Sequence, residues 1–279
     1  MSALISSDQN SRAVARAIHR ARFAATFTAL ACATATVPAC NSPARPSGDA
    51  ADVSLSISGV LRRCETTYTG LNSLEARGWL RDYRSTDRRV VPIRWELARP
   101  DQCRLQIDMD MVLVKGQNWW SYNNQSQQFK SHRELGGSPI EAAAYFLSDG
   151  IPFLLPAAWH RPKVAFGSDE ARGPWQLDGV AWTANRPCYV VSRQGLGRDS
   201  GSRWTLWIDQ DRFLIVAWTW DVMRPSDDGT PLMKTVWGCT YEVMVANAEL
   251  NQDRFRIEKP LPIALPRAAP SELKSPPGG

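Results

Sequence analysis

The sequence predicts an α+β domain built on one highly curved antiparallel sheet, with its helices on a single face. Three observations predict it. Early in the chain, apolar residues recur at spacings of three and four. After that, the period switches to two over many segments. A single apolar, alanine-rich insertion, residues 138–160, separates two groups of such segments. At 279 residues the chain is long enough to bury a sizeable core.

The elements follow in order. Arg12, Arg16, Arg20 and Arg22 precede "FAATFTALACATATVPAC", a run too short and too rich in small residues and threonine for a stable membrane span. It reads as a secretory signal over 1–39. Val37-Pro38-Ala39-Cys40 is similar to a bacterial lipobox, which makes Cys40 the candidate for lipidation. The rival readings are Cys32 after Ala29-Leu30-Ala31 and an ordinary export signal cut near Ala39. Asn41 is not the aspartate of inner-membrane retention, so the expected address is the periplasm, anchored in the outer membrane. Residues 40–51 are polar and Pro-rich, the composition of a flexible tether. The folded domain is then 52–262, and 263–279 is expected to be a disordered Pro-rich tail.

Within the domain, Val53, Ile57, Val60, Leu61, Cys64, Tyr68 and Leu71 form one apolar helix face, with Gly70 as its stop. Val91, Ile93, Trp95 and Leu97 alternate with Pro92, Arg94 and Glu96. Cys103, Leu105, Ile107 and Met109 alternate with Arg104, Gln106, Asp108 and Asp110. Each such strand has one dry and one wet face. Further strands are expected at 73–83, 111–115, 117–122, 126–132, 174–183, 188–194, 203–209, 212–223 and 233–245. In the insertion, the alanine-rich half is helical and Asp149-Gly150 breaks it. Pro152 and Pro156 frame Phe153-Leu154-Leu155, which suits a loop better than a core helix.

Composition narrows the function. Twelve tryptophans point to large apolar surfaces, in a core or around a ligand. The formal charge of +5 is concentrated before Cys40; setting aside those four arginines and Asp8 leaves 29 basic against 27 acidic residues. That is no footprint for nucleic acid. After the signal only His132 and His160 remain, neither in a metal-ligand spacing, and no G-x-S-x-G elbow occurs. "GLGRDSG" joins strand to strand and reads as a hairpin loop. No catalytic residue, metal or cofactor is expected. Cys64, Cys103, Cys188 and Cys239 could pair in three ways or remain buried thiols.

Several stretches, in order, resemble the bacterial lipoprotein carriers typified by LolA and the related LolB. "TYTGLNSLEARGWL" resembles that family's first helix and strand, and "ARPDQCRLQI" its basic-residue-plus-Pro motif. "KGQNWWSYNNQSQQF" resembles its Gly-then-aromatic hairpin. "WTLWIDQDRFLI" and "NQDRFRIEKP" resemble its last strands. The resemblance spans most of 54–262. It implies an incomplete β-barrel whose concave apolar face, covered by the N-terminal helix and lid helices, holds the acyl chains of lipoproteins or other lipids.

On that resemblance the lipid-facing residues are Leu74, Ile93, Trp95, Leu97, Leu105, Ile107, Trp120, Trp218 and Trp220. The lid is Tyr145, Phe146, Phe153, Leu154 and Leu155. Arg99 shares parity with Leu97 and falls on the family position that ties the lid shut; the other reading ends the strand at Ala98 and lets Arg99 snorkel into solvent. The expected protein is a monomeric carrier, donor or acceptor, with a membrane partner protein conceivable. A stress-sensing interaction module on the same fold is the alternative, and a lipid-modifying hydrolase a third.

Overall fold

A computed structural model describes residues 55–84, 89–133, 138–147, 154–166, 173–195, 201–225 and 229–265. The signal, Cys40, the tether and Phe153 lie outside them, as does the side chain of Leu154. Helix α1 (Ile57–Gly70) starts at Ser56, whose Oγ accepts the Gly59 N–H at 3.3 Å, and buries Val60, Cys64 and Tyr68 at intervals of four. Six strands follow: β1 (Ser73–Asp82), β2 (Val90–Ala98), β3 (Gln102–Ile107), β4 (Asp110–Lys115), β5 (Asn118–Asn123) and β6 (Gln128–Arg133). Three short helices come next: α2 (Pro139–Leu147), α3 (Leu154–His160) and α4 (Pro162–Phe166). Then β7 (Gln176–Thr183), β8 (Arg186–Gln194), β9 (Ser202–Asp209), β10 (Ile215–Pro225) and β11 (Pro231–Ala246) complete the sheet.

All eleven strands form one open antiparallel sheet in the order β6-β5-β4-β3-β2-β1-β11-β10-β9-β8-β7. The last strand returns to pair with the first, and β6 and β7 are left as edges. The β1–β11 seam is tight. At Gly78, beside a register shift, a Cβ would lie 1.8 Å from the Thr240 carbonyl oxygen, so only glycine fits.

Three expectations change. The alternation read through Met109 stops at Ile107, because Asp108 takes φ 55° in the turn to β4. Leu155 is not in a loop: α3 begins at Leu154, Pro156 falls in its first turn where a missing N–H costs nothing, and Leu155 is fully buried. The chain beyond Pro262 is tied down at least as far as Ala264, whose carbonyl accepts from Arg77 Nη1 at 3.0 Å.

Directly paired residues share a face of the sheet. The inner face, toward the helices, is overwhelmingly apolar. The outer face of β1–β5 is covered by the C-terminal segment. There Arg104 Nη1 donates to the Arg254 carbonyl at 3.1 Å, Gln106 Nε2 to that of Leu261 at 2.7 Å, and Phe255 is fully buried. Met111, Leu113 and Tyr122 are buried on this side, outside the main core. Beneath the segment lies Glu96, fully buried, with Arg94 at 2.6 Å, Arg254 at 3.4 Å and Arg104 at 3.9 Å. Burial pushes its carboxyl above the usual range against the pull of these arginines.

Candidate functional site

Cross-strand register assembles the inner face. One row runs Leu74, Leu97, Cys103, Val114, Trp119, His132 from β1 to β6. The next runs Ala76, Trp95, Leu105, Val112, Ser121. On the other side of the seam, Leu80, Cys239, Trp218, Leu206 and Val191 form a third row, and Trp237, Trp220 and Trp204 a fourth. Leu74, Ile93, Trp95, Leu97, Leu105 and Trp218 therefore share one face, and all are fully buried. Ile107 and Trp220 share it and are half-buried.

Trp120 does not join them. It pairs with Leu113, whose other neighbour is Arg104, and so lies on the outer face. Its neighbour Trp119 is the inner indole. The sequence hides this because "MVLV" in β4 is apolar on both faces, so period two gives no parity there. Register runs instead from Leu97 through Cys103 and Val114 to Trp119.

Helix α2 packs on β3, β4 and β5, while α3 and α4 pack against α1. Near the end of α2, Phe146 meets Trp119 edge-on at 5.2 Å and the His132 ring at 5.2 Å. Trp119 and His132 stack at 3.8 Å. His132 Nε2 and Ser121 Oγ are 3.0 Å apart, a hydrogen bond between neighbouring strands. Burial and Lys130 hold His132 below its usual pKa, so its imidazole is neutral. Tyr145 and Phe146 are exposed on α2, and Val164 on α4.

Arg99 connects these layers. Its Nε donates to the Leu71 carbonyl at 2.7 Å, and Nη2 donates to the carbonyls of Tyr68 at 2.9 Å and Trp159 at 3.2 Å. Its guanidinium lies over the Trp159 ring at 4.7 Å. One side chain on the inner parity of β2 thus satisfies orphan carbonyls at the end of α1 and holds α3. β2 ends at Ala98 and Arg99 is exposed as a residue, yet its guanidinium turns back onto these carbonyls.

Two deeper polar contacts fix the far side. Tyr68 Oη accepts the Ile215 N–H at 3.1 Å, and Trp218 Nε1 donates to Tyr241 Oη at 3.5 Å. Burial raises both phenols, so they remain neutral. Cys64, Cys103, Cys188 and Cys239 are free buried thiols, and burial pushes Cys188 and Cys239 up to about 12. They pack as small apolar fillers. Among the described residues, no cluster of three His, Cys, Asp or Glu side chains could hold a metal, and no helix is long and apolar enough to cross a membrane.

No protein-family model matches the chain, and no curated protein matches it in sequence. Solved structures of similar outline exist. One is LprF from Mycobacterium bovis, at 11% identity and TM-score 0.42, covering 70% of this chain and 94% of that one. Another is the lipoprotein LppX from Mycobacterium tuberculosis, at 12% identity and TM-score 0.41, covering 70% and 97%. A third is a LolA superfamily protein from Nitrosomonas europaea, at 13% identity and TM-score 0.31, covering 73% and 98%.

Proposed function

We propose that this chain is a cell-envelope carrier that holds the acyl chains of lipids or lipoproteins between the inner face of its sheet and helices α2 to α4. The observation that carries the reading is the inner face itself: Leu74, Trp95, Leu97 and Leu105 form one unbroken apolar surface, and short helices cover it. Those helices rest on the sheet through replaceable apolar contacts, with Arg99 as the polar tie to α3. Each acyl methylene taken from water is worth about 0.8 kcal/mol. A long chain entering beneath the helices would therefore compete with the contacts that the helices now make. Arg99 acts as the latch of the closed state, and Tyr145, Phe146, Leu154 and Leu155 belong to the moving cover. The reading assigns no bond-breaking step. Export and anchoring through Cys40 complete it, and Cys40→Ala is expected to convert membrane-associated protein to soluble or unprocessed protein on fractionation.

The exposed Tyr145, Phe146 and Val164 favour a second reading, in which the helices present a docking surface to another protein, as an interaction module would. The test separates the two. Mass spectrometry of an organic extract of the purified protein is expected to find acyl lipid in near-stoichiometric amount, and the emptied protein to take up a fluorescent acylated peptide. A lipid-free preparation that refuses the peptide would sink the carrier reading.

A further inference from the structure

The inner apolar face does not end where its helical cover ends. At the β7 edge, Val180 pairs with Tyr189 and Trp182 with Pro187, on the same face as Leu177 and Val191. There the burial reverses: Trp182 is 75% exposed and Val180 60% exposed. An indole and a β-branched side chain thus stand side by side in solvent, on an edge hairpin closed by the tight turn Ala184-Asn185, both with positive φ. The apolar path continues inward from them. Tyr189 stacks with Phe213 at 6.2 Å, and the guanidinium of Arg63 on α1 lies over the Phe213 ring at 5.1 Å. Arg62 and Arg63 are both exposed.

We propose that this margin, Val180 and Trp182 with Arg63 reached through Tyr189 and Phe213, is a surface that rests on a lipid bilayer. The composition suits an interface: tryptophan sits at headgroup level, and arginines meet anionic phosphates. The edge itself is a poor template for another strand. β7 shifts register between Leu177 and Gly179, and Gly179 takes φ 137°, which breaks the run of backbone groups that a partner strand would need. What the margin offers is side chains.

The chain's route supports the same occupant. The helix that carries Arg62 and Arg63 begins at Ile57, 17 residues after Cys40. Fully extended, that stretch reaches roughly 60 Å at most. If Cys40 is acylated, as the carrier reading holds, the domain is confined within that distance of the bilayer. A weak contact then suffices, because tethering makes docking effectively intramolecular. Docked in this way, the uncovered end of the inner face would abut the headgroup layer, which makes the margin the natural entry for an acyl chain. The docking proposal itself does not need bound cargo.

The test uses the processed full-length protein and its unacylated Cys40→Ala form, sedimented with vesicles of phosphatidylcholine alone and of phosphatidylcholine with one quarter phosphatidylglycerol. Both forms are expected to bind, the unacylated one more weakly and mainly to the anionic vesicles. Trp182→Asp is expected to lower binding of the unacylated form by roughly tenfold. Brominated lipid is expected to quench part of the tryptophan emission, and Trp182→Phe to remove that part while binding persists. Val180→Asp serves as an independent second variant. Equal sedimentation of Trp182→Asp and the parent, or binding without a Trp182 contribution to quenching, would overturn the proposal. So would a concentration-dependent dimer abolished by Trp182→Asp, which would assign the margin to a second copy. The extracted lipid content of Trp182→Asp reports on the carrier reading separately.

Discussion

The strands β1 to β5 and the strands β7 to β10 solve the same problem differently. In the first, both faces of the strands are covered: α2 lies on the inner face, while the C-terminal segment with Phe255 and Arg254 lies on the outer one. In the second, the outer face keeps a row of buried hydroxyls, Ser192, Thr205 and Thr219, and the inner face runs out from under cover at Val180 and Trp182. The difference separates strands buried on both faces from a margin that is left in water. A strand covered twice is stiffly specified. A strand whose inner face runs out from under cover, with an indole left in water, has a surface to offer.

The largest effects should come from breaking the doubly covered half. Phe255→Ala removes the plug of the outer core and is expected to cost about 3–5 kcal/mol in urea unfolding. Trp119→Ala should cost a similar amount, about 3–5 kcal/mol, because it takes away the inner indole on which α2 rests. Trp120→Ala, one residue along and half-buried outside, should cost markedly less and leave uptake of an acylated peptide unchanged. If the two tryptophans proved equivalent in uptake, the assignment of faces to function would fail.

Arg99→Leu is next. It removes three charge-assisted bonds to carbonyls, each worth about 1.5–3 kcal/mol at best. Leucine partly compensates in an apolar surrounding, so melting should fall only modestly. Release of a fluorescent acylated peptide to acceptor vesicles should slow, because the closed state loses its tie to Trp159 and the open, loaded state gains population. Unchanged release with unchanged melting would remove Arg99 from the lid.

A pH prediction sharpens the inner side alone. His132 is held below its usual value by burial and Lys130, so the folded protein binds this proton less readily than the unfolded chain. Its contribution is fully present above the unfolded value of 6.5 and is lost as the pH falls from there through the lowered folded value. Mild acid should therefore loosen the contact of Phe146 with Trp119, seen as a change in tryptophan emission that is absent in His132→Phe. The smallest effect on stability belongs to the open half: Trp182→Asp should alter the unfolding free energy by no more than about 0.5 kcal/mol.

Much of this was legible in the sequence where one face is dry and the other wet. Ile93, Trp95 and Leu97, alternating with Arg94 and Glu96, announce both strand and facing, whereas the count alone left Arg99 open between the carbonyls it meets and solvent. Legibility fails where both faces are apolar. The run Leu214 to Trp218 is buried throughout, so alternation carries no information there, and Phe213 with φ 54° places the start of β10 later than period two suggests. It fails for the same reason at Trp119 and Trp120. The C-terminal segment misled for a different cause: "NQDRFRIEKP" resembles a last strand, yet it holds only a 3-10 turn at Gln252–Phe255, and carbonyls from there onward meet Arg77, Arg104 and Gln106 on a distant strand face.

That last feature bears on how the protein comes to be folded. The contacts that close the outer face of β1–β4 join residues about as far apart as the domain allows: Arg104 with Arg254, Gln106 with Leu261, and Arg77 with Ala264. β1 itself has no second neighbour until β11 exists. A ribosome would therefore release more than nine tenths of this domain before any of those contacts could form. Such high contact order slows the final closure. A chain that stays unfinished until its last residues emerge remains threadable, the condition that passage through a translocation channel demands.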